Sequence, residues 1–135
     1  MADITVVPAS IRPLGGCIIR RFTAGEAMTP GQPVYLSAAD TVSLTDSSDV
    51  TKNFCIGIVV AGASGGATIA SGEECDVVLM GPVTGYSTNM AHNAVLFTDD
   101  DAGIISTTAG TKDTQIGIGL NASTMMVHPQ IIDFS

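Results

Sequence analysis

Residues 34–38 alternate, with Val34, Leu36 and Ala38 on one side and Tyr35 and Ser37 on the other. That period of two predicts a strand with one buried face. The strand closes the stretch that the rest of the chain elaborates, TAGEAMTPGQPVYL at residues 23–36. Gly25 suits a tight turn, and Pro30-Gly31 suits the two central positions of a type II turn. Residues 41–45 return as a hairpin around Ala39-Asp40. Residues 54–61 are apolar at nearly every position, which predicts a strand buried on both faces. Strands are also predicted at 17–22, at 75–80 and, after a Gly81-Pro82 turn, at 83–86. Val95 and Phe97 face one way, residues 99–103 make a hairpin, and residues 104–106 return. Ile116, Ile118 and Leu120 point inward, and residues 125–128 and 131–134 finish the chain. About ten short strands at this spacing predict an all-β barrel or sandwich.

The second half repeats the first. MAHNAVLF at residues 90–97 matches residues 28–36 with one residue deleted, and QIGIGLN at 115–121 matches CIGIVVA at 55–61. We read pseudo-repeats at about 28–61 and 90–121, an internal duplication. Val34, Leu36, Ile56 and Ile58 would then correspond to Val95, Phe97, Ile116 and Ile118. The alternative is two generic β-units that look alike because both are rich in small residues. Residues 1–16 differ, because Pro8, Pro13 and Gly15-Gly16 interrupt any strand that would join a sheet centrally. They predict an extended N-terminal arm that contacts a neighbour and can be deleted without loss of the body. Residues 17–135 form a single β domain.

Composition narrows this picture. A chain of 135 residues supports one core, and scarce Leu, Lys, Glu and Arg argue against long amphipathic helices. No apolar run approaches the ~20 residues of a membrane span, so no membrane partner is expected. Met1-Ala2-Asp3-Ile4-Thr5 has neither a basic nor an apolar signal region, which predicts synthesis in the cytoplasm. The net charge of −8 is uneven, because Arg12, Arg20 and Arg21 lie in the first 21 residues with only Asp3 against them. An acidic remainder repels phosphates, so no nucleic acid partner is expected, and the basic leader suits an acidic protein surface. Chance in a chain of few charges is the other reading. Cys17, Cys55 and Cys75 show no metal spacing, and Cys55 reads as a small core residue.

The candidate chemistry is thin. Asp99-Asp100-Asp101 invites a calcium loop, but the fifth and twelfth positions are Gly103 and Gly110, so a hydrated hairpin tip is expected. Residues 62–66 lack the Gly-Lys-Ser/Thr ending of a phosphate loop. His92 and His128 are far apart in sequence, Glu73 and Glu74 share a turn, and no Gly-x-Ser-x-Gly elbow occurs. No catalytic residue, metal or cofactor is expected, and the chain reads as non-enzymatic.

TAGEAMTPGQPVYL, a polar loop, the Ile-Gly-Ile strand and GPVTGYS at residues 81–87, in that order, resemble small head proteins of tailed bacteriophages. These are the capsid decoration, or cement, proteins. The resemblance covers about residues 22–127. Ala91-His92-Asn93-Ala94 departs from it, standing where a glycine turn would precede Val95; Asn93 can take the left-handed conformation instead. The resemblance implies binding to the major capsid protein on the outside of the virion, as a homotrimer, with no catalytic residues. Arg12, Arg20 and Arg21 are the candidate capsid contacts. Met125, Met126, Ile131 and Phe134 are the candidate subunit contacts, unless this tail is only the last core strand. The competing function is a glycan or receptor binding module on a virion. It would want an aromatic platform, and Trp is absent, leaving Tyr35 and Tyr86.

Overall fold

The structure, a computed structural model, describes residues 3–87, 90–112 and 114–129. In chain order the strands are β1 (Thr5–Val6), β2 (Arg12–Pro13), β3 (Ile18–Ala24), β4 (Pro33–Ala38), β5 (Thr41–Leu44) and β6 (Gly57–Gly62). They continue as β7 (Glu74–Thr84), β8 (Tyr86–Ser87), β9 (Val95–Thr98), β10 (Ile105–Ser106), β11 (Gln115–Gly119) and β12 (Thr124–Val127). The fold is all-β, 47% strand, and the described residues contain one short 3-10 turn at Pro8–Ser10 and no α-helix.

β7 joins the two halves. Up to Met80 it pairs with β3 and β6, and from Gly81 onward with β12 and β2. The turn predicted at Gly81-Pro82 is therefore absent. Gly81 takes a φ of 129°, which changes the strand's course without reversing it, and Pro82, lacking an N–H, still uses its carbonyl. That carbonyl accepts from the Leu14 N–H at 2.9 Å and the Cys17 thiol at 3.1 Å.

The first half closes on itself as a five-stranded barrel in the order β7-β3-β5-β4-β6-β7, with β3 and β5 parallel. Phe22, Val34, Val42, Val59, Cys75 and Val77 fill its interior. The bridge between Met28 and Ile69 adds two more buried side chains to that core. β9 to β12 form a second sheet around another core, in which Leu96, Ile105, Ile116, Met125 and Val127 meet Ile58, Val60 and Val78 of the barrel wall. β6 thus serves both cores, which is why its sequence is apolar on both faces. Each buried Val or Ile contributes roughly 2 kcal/mol of hydrophobic stabilisation.

The two halves share a strand order. β4 lies between β5 and β6, as β9 lies between β10 and β11. Val34 faces Gly57 across the pair, and Leu96 faces Gly117. The Gly31 N–H donates to the Val59 carbonyl, and the Asn93 N–H donates to the Gly119 carbonyl. Gly31 and Asn93 both take positive φ, 98° and 65°, so Asn93 supplies the left-handed turn that glycine supplies in the first copy. This register corrects the sequence alignment by one residue. No deletion precedes β9; Val34 corresponds to Leu96, and Pro33 to Val95.

The inward assignments shift accordingly. Val34 and Leu96 are buried, whereas Leu36 and Val95 are exposed. β4 bulges between Leu36 and Ala38 as it leaves the body. Another irregularity between Gln115 and Gly117 breaks the alternation of β11, so Ile116 is buried, Ile118 half-buried and Leu120 exposed.

The N-terminal segment is extended, as expected, but it lies along its own body. β1 pairs with β8, β2 pairs with β7, and the Ile4 N–H donates to the Ile105 carbonyl at 2.8 Å. Ile4 and Ile11 are buried in the second core. The expectation that this segment can be deleted without loss of the body is corrected by those two side chains. Residues 131–134, read as a last strand, lie outside the described residues.

Candidate functional site

The surface feature that stands out is one mouth of the barrel. β3 alternates, so Phe22 points into the core while Arg20, two residues earlier, lies over its ring with the guanidinium 5.0 Å from the centroid. Leu36 at the end of β4 and Met80 on β7 are 50% and 43% exposed. With Ile56, Leu79 and Pro129 they line a mainly apolar groove of about 340 Å³. Ile18, the register partner of Met80, is 57% exposed.

The β4–β5 hairpin closes one side of this mouth. Asp40 takes a φ of 53°, tolerable for Asp in a two-residue turn, and its carboxylate accepts from Arg20 at 2.7 Å. Arg21, on the opposite face of β3, donates to Asp76 at 3.0 Å and Glu74 at 3.4 Å. The Asp76 hydrogen bond and charge, then those of Glu74, push its pKa up.

A second hollow, of about 430 Å³, lies where residues 9–12 cross the loop after β7. Arg12 pairs through its backbone with Thr84, and Ala9, Ser10, Ile11, Gly85 and Ser123 complete the lining. The crossing requires Gly85, since a Cβ there would stand 2.5 Å from the Ser10 carbonyl oxygen. The Gly85 and Tyr86 N–H groups both donate to the Ser123 carbonyl at 3.1 Å.

The three arginines are therefore not one patch. Arg20 and Arg21 take opposite faces of β3 and carry partners of their own, while Arg12 lies at the separate hollow. Of the expected subunit contacts, Met125 is fully buried in the second core and has no surface to offer another subunit. Met126 is half-buried beside Ile118 and Pro82, and Ile131 and Phe134 lie outside the described residues.

The aspartate run lies at a hairpin tip with Asp100 and Asp101 exposed, as expected, but Asp99 is not hydrated. Asp99 is only 2% exposed, and its Oδ1 is buried without a hydrogen bond. Burial raises its pKa, and Asp3, Asp101 and Asp100 add repulsion. Asp100 is exposed and accepts from the Thr111 hydroxyl and N–H at 2.6 and 2.7 Å, which lowers its pKa.

Cys55 is buried, as expected, and its thiol pKa is pushed up to about 12; that of Cys75 is pushed up to about 11, mainly by burial. His92 and His128 are exposed. Among the described residues no three His, Cys, Asp or Glu side chains converge, and no helix is long and apolar enough to cross a membrane. Tyr86 is buried and donates its hydroxyl to the Gly31 carbonyl at 3.1 Å, so it offers no platform for a sugar.

Sequence reasoning missed the barrel mouth because its side chains come from five separate segments. The available signal is Leu36, apolar at the position where β4 leaves the sheet, which a period of two places inward. No model of a known protein family matches this chain, and no curated protein matches it either.

Proposed function

We propose that this chain is a non-enzymatic capsid decoration, or cement, protein of a tailed phage. It binds the outer surface of the major capsid protein lattice as a homotrimer and stabilises the head. The observation that supports this reading is the barrel mouth. Other large apolar side chains are exposed singly elsewhere, Val50 and Leu120 among them, but Leu36 and Met80 line one groove of about 340 Å³ with Ile18 beside Met80, and the charge at that rim is already paired within the chain. Such a face is matched by an apolar protein surface rather than by a small charged ligand. Low Lys and Glu content agrees with it, because few entropy-rich side chains must be ordered on docking.

Co-sedimentation of the purified protein with capsids of the phage that encodes it tests the reading. Wild-type protein should pellet with capsids and saturate. Leu36→Asp combined with Met80→Asp should weaken binding by about tenfold or more, as expected when central apolar contacts are lost. Wild-type protein left in the supernatant at every capsid concentration overturns the proposal.

A further inference from the structure

Among the described residues, Arg12 is the arginine left without a counter-charge. Arg20 reaches Asp40, and Arg21 reaches Asp76 and Glu74, but among the described residues no carboxylate lies within ion-pair distance of Arg12. In a chain of net charge −8 an unmatched guanidinium is conspicuous. Its surroundings are equally one-sided. The hollow of about 430 Å³ beside it is lined by Ala9, Ser10, Ile11, Thr84, Gly85 and Ser123, with no acidic side chain.

The backbone that carries Arg12 is fixed. Ile11, next to it, is buried in the second core, β2 is paired to β7, and the close approach of Ser10 to Gly85 leaves no room for a Cβ. A guanidinium mounted on such a base loses little backbone freedom when it binds.

We propose that this hollow takes a carboxylate side chain, Asp or Glu, presented by a neighbouring protein. The planar guanidinium offers two parallel N–H donors that match one carboxylate, and the Ser10 hydroxyl is a further donor in the same lining. A polyphosphate backbone is a poor match, because the acidic remainder of the chain repels an extended polyanion while a single carboxylate meets only the local field. The inference rests on the capsid-binding reading for the identity of the neighbour, and it moves the charged contact from the three arginines together to Arg12 alone.

The test uses N-acetyl-Gly-Glu-Gly-amide, which carries one carboxylate, as probe, titrated into the ¹⁵N-labelled full chain to about 10 mM, a range suited to one exposed ion pair. N-acetyl-Gly-Gln-Gly-amide and inorganic phosphate are the parallel arms. The Arg12 Nε and the Gly85 and Ser123 amides should shift with the glutamate peptide and not with the glutamine peptide, and Arg12→Ala should abolish the response. Arg20→Ala should preserve it. No shift, a shift that survives Arg12→Ala, or an equal response to phosphate overturns the inference.

Capsid binding supplies the second readout. Arg12→Glu should weaken it about tenfold while the melting temperature stays within about 2 °C of wild type, as for an exposed substitution. Unchanged capsid binding by Arg12→Glu overturns the inference and leaves the capsid reading standing. If wild-type protein binds no capsid, that reading falls, and the peptide titration still decides the hollow.

Discussion

At the residue scale, the two Ile-Gly-Ile glycines show what the duplication requires. A Cβ on Gly57 would collide with the Val78 carbonyl oxygen, and one on Gly117 with the Met126 carbonyl oxygen. Both glycines let the next strand lie close against the sheet. Gly57→Ala and Gly117→Ala should each cost about 3 kcal/mol in urea denaturation. Gly66→Ala, where a Cβ meets nothing nearer than 3.8 Å, should cost nothing measurable. Asp99 gives a second prediction. Its raised pKa means that the folded chain holds this proton to higher pH than the unfolded chain, whose Asp titrates near 3.9. Stability therefore falls as pH rises through that window, and the wild type carries the cost at neutral pH. Asp99→Asn should be about 1 kcal/mol more stable at pH 7, with the advantage gone near pH 4. Asp49, Asp100 and Glu73 have the opposite sign: hydrogen bonds lower their pKa values. Their stabilisation is present above the unfolded values and is lost as pH falls through the folded ones. Thermal melts from pH 3 to 8 separate the two effects.

At the scale of elements, alternation located most strands but not their exact phase. The double-faced apolar run around Val59 was legible because it needs no register, and β6 is buried on both sides. Leu36 and Leu120 are exposed because period two does not survive the irregularities in β4 and β11, and these depend on partner strands that local sequence does not name. Val95 is exposed because Leu96, one residue later, is the counterpart of Val34. Gly81-Pro82 was read as a turn for the same reason, since only the exchange of β3 and β6 for β12 and β2 explains a glycine and a proline inside a strand. The N-terminal segment was legible as extended, yet Ile4 and Ile11 belong to a core assembled mostly from residues more than 70 positions away. Ile11→Ala should cost about 3 kcal/mol. Deleting residues 1–13 should abolish the cooperative urea transition, and a deletion variant that unfolds cooperatively at the wild-type midpoint would count against this packing.

At the scale of the whole molecule, the barrel mouth and the Arg12 hollow were hidden from sequence because each is assembled from separate segments around β7. About 13 Å of strand separates Met80 from Thr84 at the usual rise per residue, so one neighbour can engage both. Trimer formation belongs to this scale too. Closed threefold symmetry would let several weak capsid contacts act together, and analytical ultracentrifugation at micromolar concentration should show a trimer. A monomer there would place trimerisation on the capsid instead. On the proposed function, this β-barrel reinforces a shell by docking its mouth against it. Electron cryomicroscopy of capsids incubated with the protein tests that most directly. Ordered barrels should stand on the outer surface, with Leu36 and Met80 against the major capsid protein. Bare capsids, or barrels bound with that mouth open to solvent, would contradict it.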